Sequence, residues 1–281
     1  LAIEADCTMN NLTEWQYGIA SQKVRWNLSG SYQQVIPSYY SMDQNGVRRD
    51  FLADWFDSAS EMCSAIFLKG YQWPFDSAKI EGSSRIDLAV SRETKAGRRV
   101  WIDFRENPAG FDFDSLRTEA RDYLERADAL GKTPFERLMR LNPQAVEFYR
   151  NSGIDLAAEP LEVAVCAQHM NGGAAVDGNW QTSVANLFAV GEAAGTFGVY
   201  RPGGSALNST QVGGLRAAEY IALHPAQGDG NGTALEKALQ EEQSYVDRCI
   251  RMPAAPQTDF AGEMSRCASH CRVYEEIAAL Y

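Results

Sequence analysis

The chain has few histidines, no long apolar run and no cluster of basic residues. Its 281 residues include only 3 histidines. The longest apolar runs, such as Val163–Ala167, fall far short of the roughly 20 residues that a membrane-spanning helix needs. The 26 basic residues are outnumbered by 37 acidic ones, which gives a net charge of -11. We therefore expect a globular protein with no nucleic-acid partner and no direct membrane insertion.

Cysteines are also sparse, and they are spread widely through the chain. A chain of this length needs no disulfide bonds to fold, so the six cysteines predict a reducing, cytoplasmic environment. The tightest group of metal-ligating residue types is Cys267, His270 and Cys271. It offers three ligands at most on a predicted helix, and we interpret it as a packed helix face with no metal.

The ends of the sequence lack the signals of natural boundaries. The chain begins at Leu1, and Leu1–Asp6 reads as the middle of a helix with no capping residue before it. The last residues read as helix up to the final position. These features predict that the sequence is a fragment of a longer chain. Its start reads as a cut within a helix, and its end reads in the same way.

Hydrophobic periodicity and turn signals predict a mixed fold, α/β (α+β). Strands are expected in four segments. Trp26–Tyr40 should contain short strands, and Arg98–Phe104, Leu161–Ala167 and Asn186–Val190 should each form one strand. Seven helices are expected: Asp50–Phe67, one opening near Arg85, Asp114–Leu130, one from Thr133, one from Asn142, Thr210–Ala222 and Ala234–Cys249. Residues 224–232 read as a linker. The order from the strand at Asn186 to the helix at Thr210 is that of a βα unit.

A glycine-rich loop lies between that strand and that helix. Gly191 allows a sharp turn where the strand ends, and Glu192 can accept hydrogen bonds from a sugar hydroxyl. Glycines as far as Gly204 let backbone N–H groups approach a flat ring, and the helix would point its positive end at an electron-rich ligand. The spacing is not the dinucleotide fingerprint G-x-G-x-x-G. By itself it fits a cofactor cradle and an ordinary βα turn about equally well.

The order of residues is more specific than the spacing. The paired glycines Gly172 and Gly173, the segment NLFAVGE (Asn186–Glu192) and the segment YRPGGSALN (Tyr200–Asn208) follow one another before a helix rich in small residues. This order resembles the closing FAD-binding segment of the fumarate reductase, succinate dehydrogenase and L-aspartate oxidase flavoproteins. Upstream, GSSRIDLAV (Gly82–Val90) resembles the segment of that family whose arginine delivers a proton.

The resemblance implies the following domain organisation. Residues 1–23 would end the first segment of a Rossmann-like FAD domain, and residues 24–160 would form an inserted α+β capping domain over the substrate. Residues 161–224 would be the closing FAD-binding segment, and residues 225–281 would begin a C-terminal helical region.

The resemblance also implies FAD as cofactor and hydride transfer to or from a polar small molecule, typically one that carries a carboxylate. Arg85 would be the catalytic proton donor, and Arg201 would be catalytic and would bind a substrate carboxylate through its guanidinium fork. Glu192 would bind the flavin ribityl chain. The remaining cofactor contacts would come from Gly191, Gly204, Ser205, Ala206 and Leu207. The sequence does not indicate an electron donor.

Two departures from the family pattern limit these expectations. Gln168 stands where the family has a substrate-binding histidine, and His169 one residue later either substitutes for it or packs. A dicarboxylate such as fumarate is therefore less certain, and a related flavoenzyme with another substrate stays open. The dinucleotide fingerprint would lie before Leu1. The isolated chain is thus expected to bind FAD weakly or not at all and to be inactive, as a non-catalytic scaffold.

Overall fold

The computed structural model describes residues 2–201, 204–225 and 232–251. These residues form two compact units. The first contains the chain up to Trp15 and from His169 onward, and the second contains Gln16–Gln168. The predicted domain limits remain a prediction. The predicted helical region after residue 251, including Cys267, His270 and Cys271, lies outside the described residues. Residues 226–231 of the predicted linker 224–232 also lie outside them.

Eight strands and eight α-helices are defined within the described residues. The strands are β1 Met9–Asn10, β2 Trp15–Ser21, β3 Trp26–Asn27, β4 Ser38–Met42, β5 Arg48–Arg49, β6 Arg99–Asp103, β7 Leu161–Met170 and β8 Gly173–Ala174. The helices are α1 Ser31–Gln34, α2 Ala59–Lys69, α3 Ser84–Lys95, α4 Thr118–Arg126, α5 Pro134–Leu141, α6 Pro143–Asn151, α7 Ser205–Leu223 and α8 Gly232–Arg251. Short 3-10 helices occur at Phe51–Asp54, Ser77–Lys79 and Gly191–Ala193.

The second unit is built on a six-stranded sheet with the order β3-β2-β7-β6-β4-β5. The pairs β2–β3, β4–β5, β4–β6 and β6–β7 are antiparallel. Helices α2 to α6 pack their apolar sides against this sheet and form one core with it. The core contains fully buried residues such as Ile66, Ile102 and Leu138. The predicted strands at Arg98 and Leu161 are confirmed, as is the helix that opens near Arg85.

Local capping signals located two helices of this unit correctly. Thr133 Oγ1 accepts a hydrogen bond from the Glu136 N–H at 3.2 Å, with proline at the first helical position of α5. Asn142 caps α6 in the same way, through Ala145. Such caps satisfy backbone donors that have no intrahelical acceptor.

Two other helices of this unit are shorter than predicted. The predicted helix Asp50–Phe67 is divided into the 3-10 helix Phe51–Asp54 and α2, because Ser58 caps a new start by accepting from the Glu61 N–H. The predicted helix Asp114–Leu130 begins only at Thr118, since Asp112 and Ser115 form a hydrogen-bonded turn before it.

The first unit contains a two-stranded sheet, β1 with β8, and the helix α7. Two predictions about this unit are wrong. The segment Asn186–Val190 is not a strand, because its only pairing within the described residues is an isolated bridge between Phe188 and Gln181. A strand requires a continuous partner, and this segment forms one side of an irregular hairpin instead.

The second wrong prediction is the start of α7. The helix begins at Ser205, well before Thr210, because Gly204 adopts a left-handed conformation with φ 80° and turns the chain into the helix there. Residues Asn208, Ser209 and Thr210, which resemble cap residues in sequence, are inside the helix. The helix α8 confirms the predicted helix Ala234–Cys249.

No helix within the described ranges combines the length and the apolar character needed to cross a bilayer.

Candidate active site

Glu192 lies on the 3-10 helix Gly191–Ala193, whose first position requires a glycine. Gly191 has φ 65°, and a Cβ there would lie 2.8 Å from Thr210 Oγ1 on α7. Glu192 Oε1 accepts a 3.0 Å hydrogen bond from the Met170 N–H, while 56% of the Glu192 side chain is exposed. The carboxylate is therefore oriented by the protein and remains open to a ligand.

The paired glycines Gly172 and Gly173 allow three backbone segments to pack closely. A Cβ on Gly172 would lie 2.1 Å from the Asn11 carbonyl oxygen, and one on Gly173 would lie 2.4 Å from the Ala193 carbonyl oxygen. Any side chain at either position would separate β1, β8 and the 3-10 helix. The glycines thus place Glu192 beside the end of β7.

The first turn of α7 packs near the same place, because α7 lies against the 3-10 helix that contains Glu192. Backbone N–H groups in the first turn of a helix have no intrahelical acceptor, and they lie at the positive end of the helix dipole. The N-cap residue, Gly204, has no side chain that could cap this turn. The residues of the turn are Ser205, Ala206 and Leu207.

His169 is buried at the end of β7, between two polar neighbours. Its Nδ1 lies 3.1 Å from Asn171 Oδ1, and its Nε2 lies 3.6 Å from Glu192 Oε2. The ring of Phe197 packs edge-on against the imidazole at a centroid distance of 4.8 Å. Burial lowers the pKa of His169, the Glu192 carboxylate raises it, and the positive charge of Arg201 lowers it further. The net effect favours a neutral imidazole.

Asn171 was not identified from the sequence, although it is fully buried at this site. Its Nδ2 donates a 3.1 Å hydrogen bond to the carbonyl oxygen of Val199, in the loop that leads to Arg201. The one available sequence signal was a polar residue directly before two glycines. That signal alone does not distinguish a turn residue from a site residue.

Arg201 is half-buried at the end of that loop. Its positive charge is one of the causes that lower the His169 pKa. The first unit thus contains His169, Asn171 and Arg201 together with all the predicted cofactor positions. The cofactor positions are Gly191, Glu192, Gly204, Ser205, Ala206 and Leu207.

Gln168 and Arg85 belong to the second unit. Gln168 Nε2 donates a 3.1 Å hydrogen bond to the Gly18 carbonyl oxygen. Because successive strand residues point to opposite faces, Gln168 and His169 do not share a face of β7.

Arg85 lies in the first turn of α3 and is held by the second unit. Its guanidinium donates to the Trp55 carbonyl oxygen at 2.8 Å and to Glu81 Oε2 at 2.6 Å. It also lies 3.6 Å from Glu61 Oε1 and 5.2 Å from the centre of the Phe56 ring.

Comparison with known proteins identifies a matching family and several relatives. The FAD binding domain family matches residues 1–207. A fumarate reductase (CoM/CoB) chain of Methanothermobacter marburgensis is 48% identical over 100 residues, which is 35% of this chain and 18% of that protein. The L-aspartate oxidase of Synechocystis is 33% identical over 99 residues, 34% of this chain and 18% of that protein.

The fold is also found among solved structures. A quinol-fumarate reductase solved with menaquinol molecules matches with a TM-score of 0.56 and 19% sequence identity, over 97% of this chain and 44% of that chain. At this identity the match establishes a shared fold. The chain therefore spans less than half the length of the solved chain, and its matches cover under a fifth of the two curated relatives.

Proposed function

This chain belongs to the FAD binding domain family, and on that premise we propose that it supplies the ribityl, ring and substrate contacts of an FAD-dependent oxidoreductase of the fumarate reductase/succinate dehydrogenase type. The observation that carries the proposal is the grouping of Glu192, the first turn of α7 and Arg201 in one unit. In this proposal residues 24–160, which lie within the second unit, contribute the capping domain, and the first unit contributes part of the Rossmann-like FAD domain.

The first unit offers groups that fit a flavin. The exposed, oriented carboxylate of Glu192 would accept hydrogen bonds from ribityl hydroxyls. Backbone donors of Ser205, Ala206 and Leu207 would meet the acceptor atoms on the pyrimidine edge of the ring. Gly191 and Gly204 keep side-chain atoms out of this surface. When bound, FAD supplies a ring that can accept or give a hydride.

On the substrate side, the proposal assigns carboxylate binding to Arg201. A guanidinium offers two parallel donors that match a carboxylate, and it stabilises negative charge that develops next to that carboxylate. The relatives named fumarate reductase and L-aspartate oxidase support a carboxylate-bearing substrate. Gln168, by contrast, already donates to a backbone carbonyl of its own unit. In the family, a histidine at this position binds one end of the substrate. With Gln168 in its place, we propose a substrate whose group at that end differs from that of fumarate.

Arg85 is the proposed proton donor. Its guanidinium is hydrogen-bonded to Glu81, whose side chain is 87% exposed and exchanges protons with water. A proton given up by Arg85 would therefore be replaced through Glu81.

Flavin titration of the purified chain tests the cofactor half of the proposal. We expect added FAD to lose fluorescence on binding and Glu192→Gln to weaken binding by about tenfold, the value of one hydrogen bond to a charged group. The matched control is Glu219→Gln, an exposed carboxylate on α7, which should leave FAD affinity unchanged. If Glu192→Gln and Glu219→Gln bind FAD equally well, the assignment of Glu192 is wrong.

The substrate half is tested by the binding of a panel of unsaturated mono- and dicarboxylates to the purified chain, measured by isothermal titration calorimetry. Arg201→Lys keeps the charge but loses the bidentate fork, and we expect the dissociation constant to rise about 10- to 100-fold. Arg216→Lys on α7 is the control, since Arg216 only approaches the Gly178 carbonyl oxygen at 3.4 Å. An equal effect of the two substitutions would exclude Arg201 as the carboxylate ligand.

A further inference from the structure

A buried chain of hydrogen bonds connects the end of β7 to the loop before Arg201. Asn171 is at its centre and is 0% exposed. Its Nδ2 donates to the Val199 carbonyl oxygen, and its Oδ1 lies 3.1 Å from His169 Nδ1. The cofactor and substrate contacts proposed above assign no role to Asn171.

The chemistry of these groups fixes the position of the protons. A carbonyl oxygen only accepts, so the amide nitrogen of Asn171 must face Val199. The amide oxygen of Asn171 then faces His169, and Nδ1 of the imidazole must carry a hydrogen to donate to it. A neutral His169 consequently has its lone pair on Nε2, which has no hydrogen-bond partner among the described residues.

The same end of β7 also orients Glu192, the carboxylate that is proposed to bind the cofactor. The N–H of Met170, between His169 and Asn171, donates to Glu192 Oε1 at 3.0 Å. His169 packs edge-on against Phe197, so a ring contact and a hydrogen bond both connect the loop from Phe197 to Arg201 with this strand end. One three-residue segment thus contacts both the proposed cofactor group and the loop that carries the proposed substrate group.

We propose that Asn171 and His169 are positioning residues that hold Glu192 and the Phe197–Arg201 loop in a fixed relation. The inference rests on the proposed function for the roles of Glu192 and Arg201. Two charged groups act on the imidazole: the carboxylate of Glu192, whose Oε2 lies 3.6 Å from Nε2, and the positive charge of Arg201. A neutral ring engages neither charge, whereas a protonated ring would pair with the carboxylate and repel the guanidinium.

Two measurements on the protein without FAD test this inference. The first is the tautomer and pKa of His169 from nitrogen-15 NMR, which is tractable because the chain has only 3 histidines. The second is the backbone nitrogen-15 order parameter of Phe197–Arg201, which reports how tightly the loop is held. We expect the Nδ1–H tautomer and a lowered pKa in the wild type. In Asn171→Leu we expect loss of that tautomer preference and a fall of the loop order parameters from about 0.85 to below about 0.6.

The control is Thr182→Val, which removes a different buried hydroxyl of the first unit that bonds to Val184. A purely structural role for Asn171 would lower the loop order parameters no more than the control does, and it would leave the His169 tautomer unchanged. If Asn171→Leu does not fold, His169→Phe decides the question. It keeps the edge-on ring contact and removes the donor to Asn171, and the loop order parameters should again fall below about 0.6.

An unchanged loop in whichever of these variants folds, or an Nε2–H tautomer in the wild type, would overturn the inference. Neither measurement requires FAD. Equal FAD affinity of Glu192→Gln and Glu219→Gln would therefore contradict the proposed function without deciding the positioning role, and the reverse also holds.

Discussion

Replacing Lys69 should destabilise the second unit strongly, because it would leave Asp87 buried without a counter-charge. Lys69 and Asp87 form an ion pair with an Nζ–Oδ2 distance of 2.5 Å, and their side chains are 0% and 2% exposed. Asp87 Oδ1 has no hydrogen-bond partner within the described residues. Burial raises the pKa of Asp87 from its ordinary value of 3.8 to about 6, and burial also lowers the pKa of Lys69.

These values set the expected magnitude. The difference between a pKa of 3.8 and one of about 6 corresponds to about 3 kcal/mol against the ionised carboxylate even with Lys69 present. Removing one partner of a buried pair typically costs about 3–5 kcal/mol, whereas replacing both by apolar residues is often neutral. We therefore expect Lys69→Met to lower the free energy of unfolding by about 3–5 kcal/mol, and Lys69→Met/Asp87→Leu to recover most of that loss.

Urea denaturation followed by tryptophan fluorescence measures these differences. Lys79→Met is the control, because Lys79 pairs with Asp76 near the surface, where the Lys79 side chain is 37% exposed. Its effect should stay within about 0.5 kcal/mol. A cost below about 1 kcal/mol for Lys69→Met, or a double variant no more stable than the single one, would refute the reasoning.

The same pair predicts a pH dependence with a definite sign. The pKa of Asp87 is higher in the folded state than in the unfolded state, so its contribution to stability is full below about pH 4. That contribution is lost as the pH rises through about 6. The stability of the wild type relative to Asp87→Asn should therefore fall between pH 4 and 7. A flat or rising difference would contradict the assigned direction.

Two further substitutions test local geometry. Gly191→Ala should lower the unfolding free energy by about 2–3 kcal/mol, since φ is 65° and the new Cβ would lie 2.8 Å from Thr210 Oγ1; Gly153→Ala, with φ 76° and open space, should cost about 1 kcal/mol in the same urea titration. Thr133→Ala should cost about 1 kcal/mol through loss of the α5 cap, whereas Thr133→Ser should be nearly neutral. Equal costs within either pair would contradict the corresponding explanation.

Sequence reasoning succeeded where the signal was local. The helices α5 and α6 start where a cap residue precedes proline, and each cap bonds within three residues of itself. It failed where the outcome depends on distant partners. The apolar run Asn186–Val190 has the composition of a strand, but it pairs only at one bridge within the described residues. The start of α7 was missed because the left-handed Gly204 determines it, while the cap-like residues after it are helical.

Residues of the candidate site also differ in whether their neighbours along the chain predict them. Glu192 was predicted because its neighbours along the chain form an ordered motif. Asn171 was not, because its importance comes from Val199, which is 28 positions away in the sequence. When a buried amide joins two distant segments, the sequence of neither segment has a pattern that predicts the contact.

The neutral state of His169 connects the stability of the first unit with the availability of Glu192 for the cofactor. Its folded-state pKa lies below the ordinary value of 6.5, chiefly because of burial. For a depressed pKa, the contribution to stability is present above the unfolded pKa and is lost as the pH falls through the folded one. Acid therefore weakens the first unit while the new positive charge pairs with Glu192, whose Oε2 lies 3.6 Å away. If Glu192 serves the cofactor, loss of FAD affinity on acidification should follow the protonation of His169, and His169→Phe should abolish that dependence.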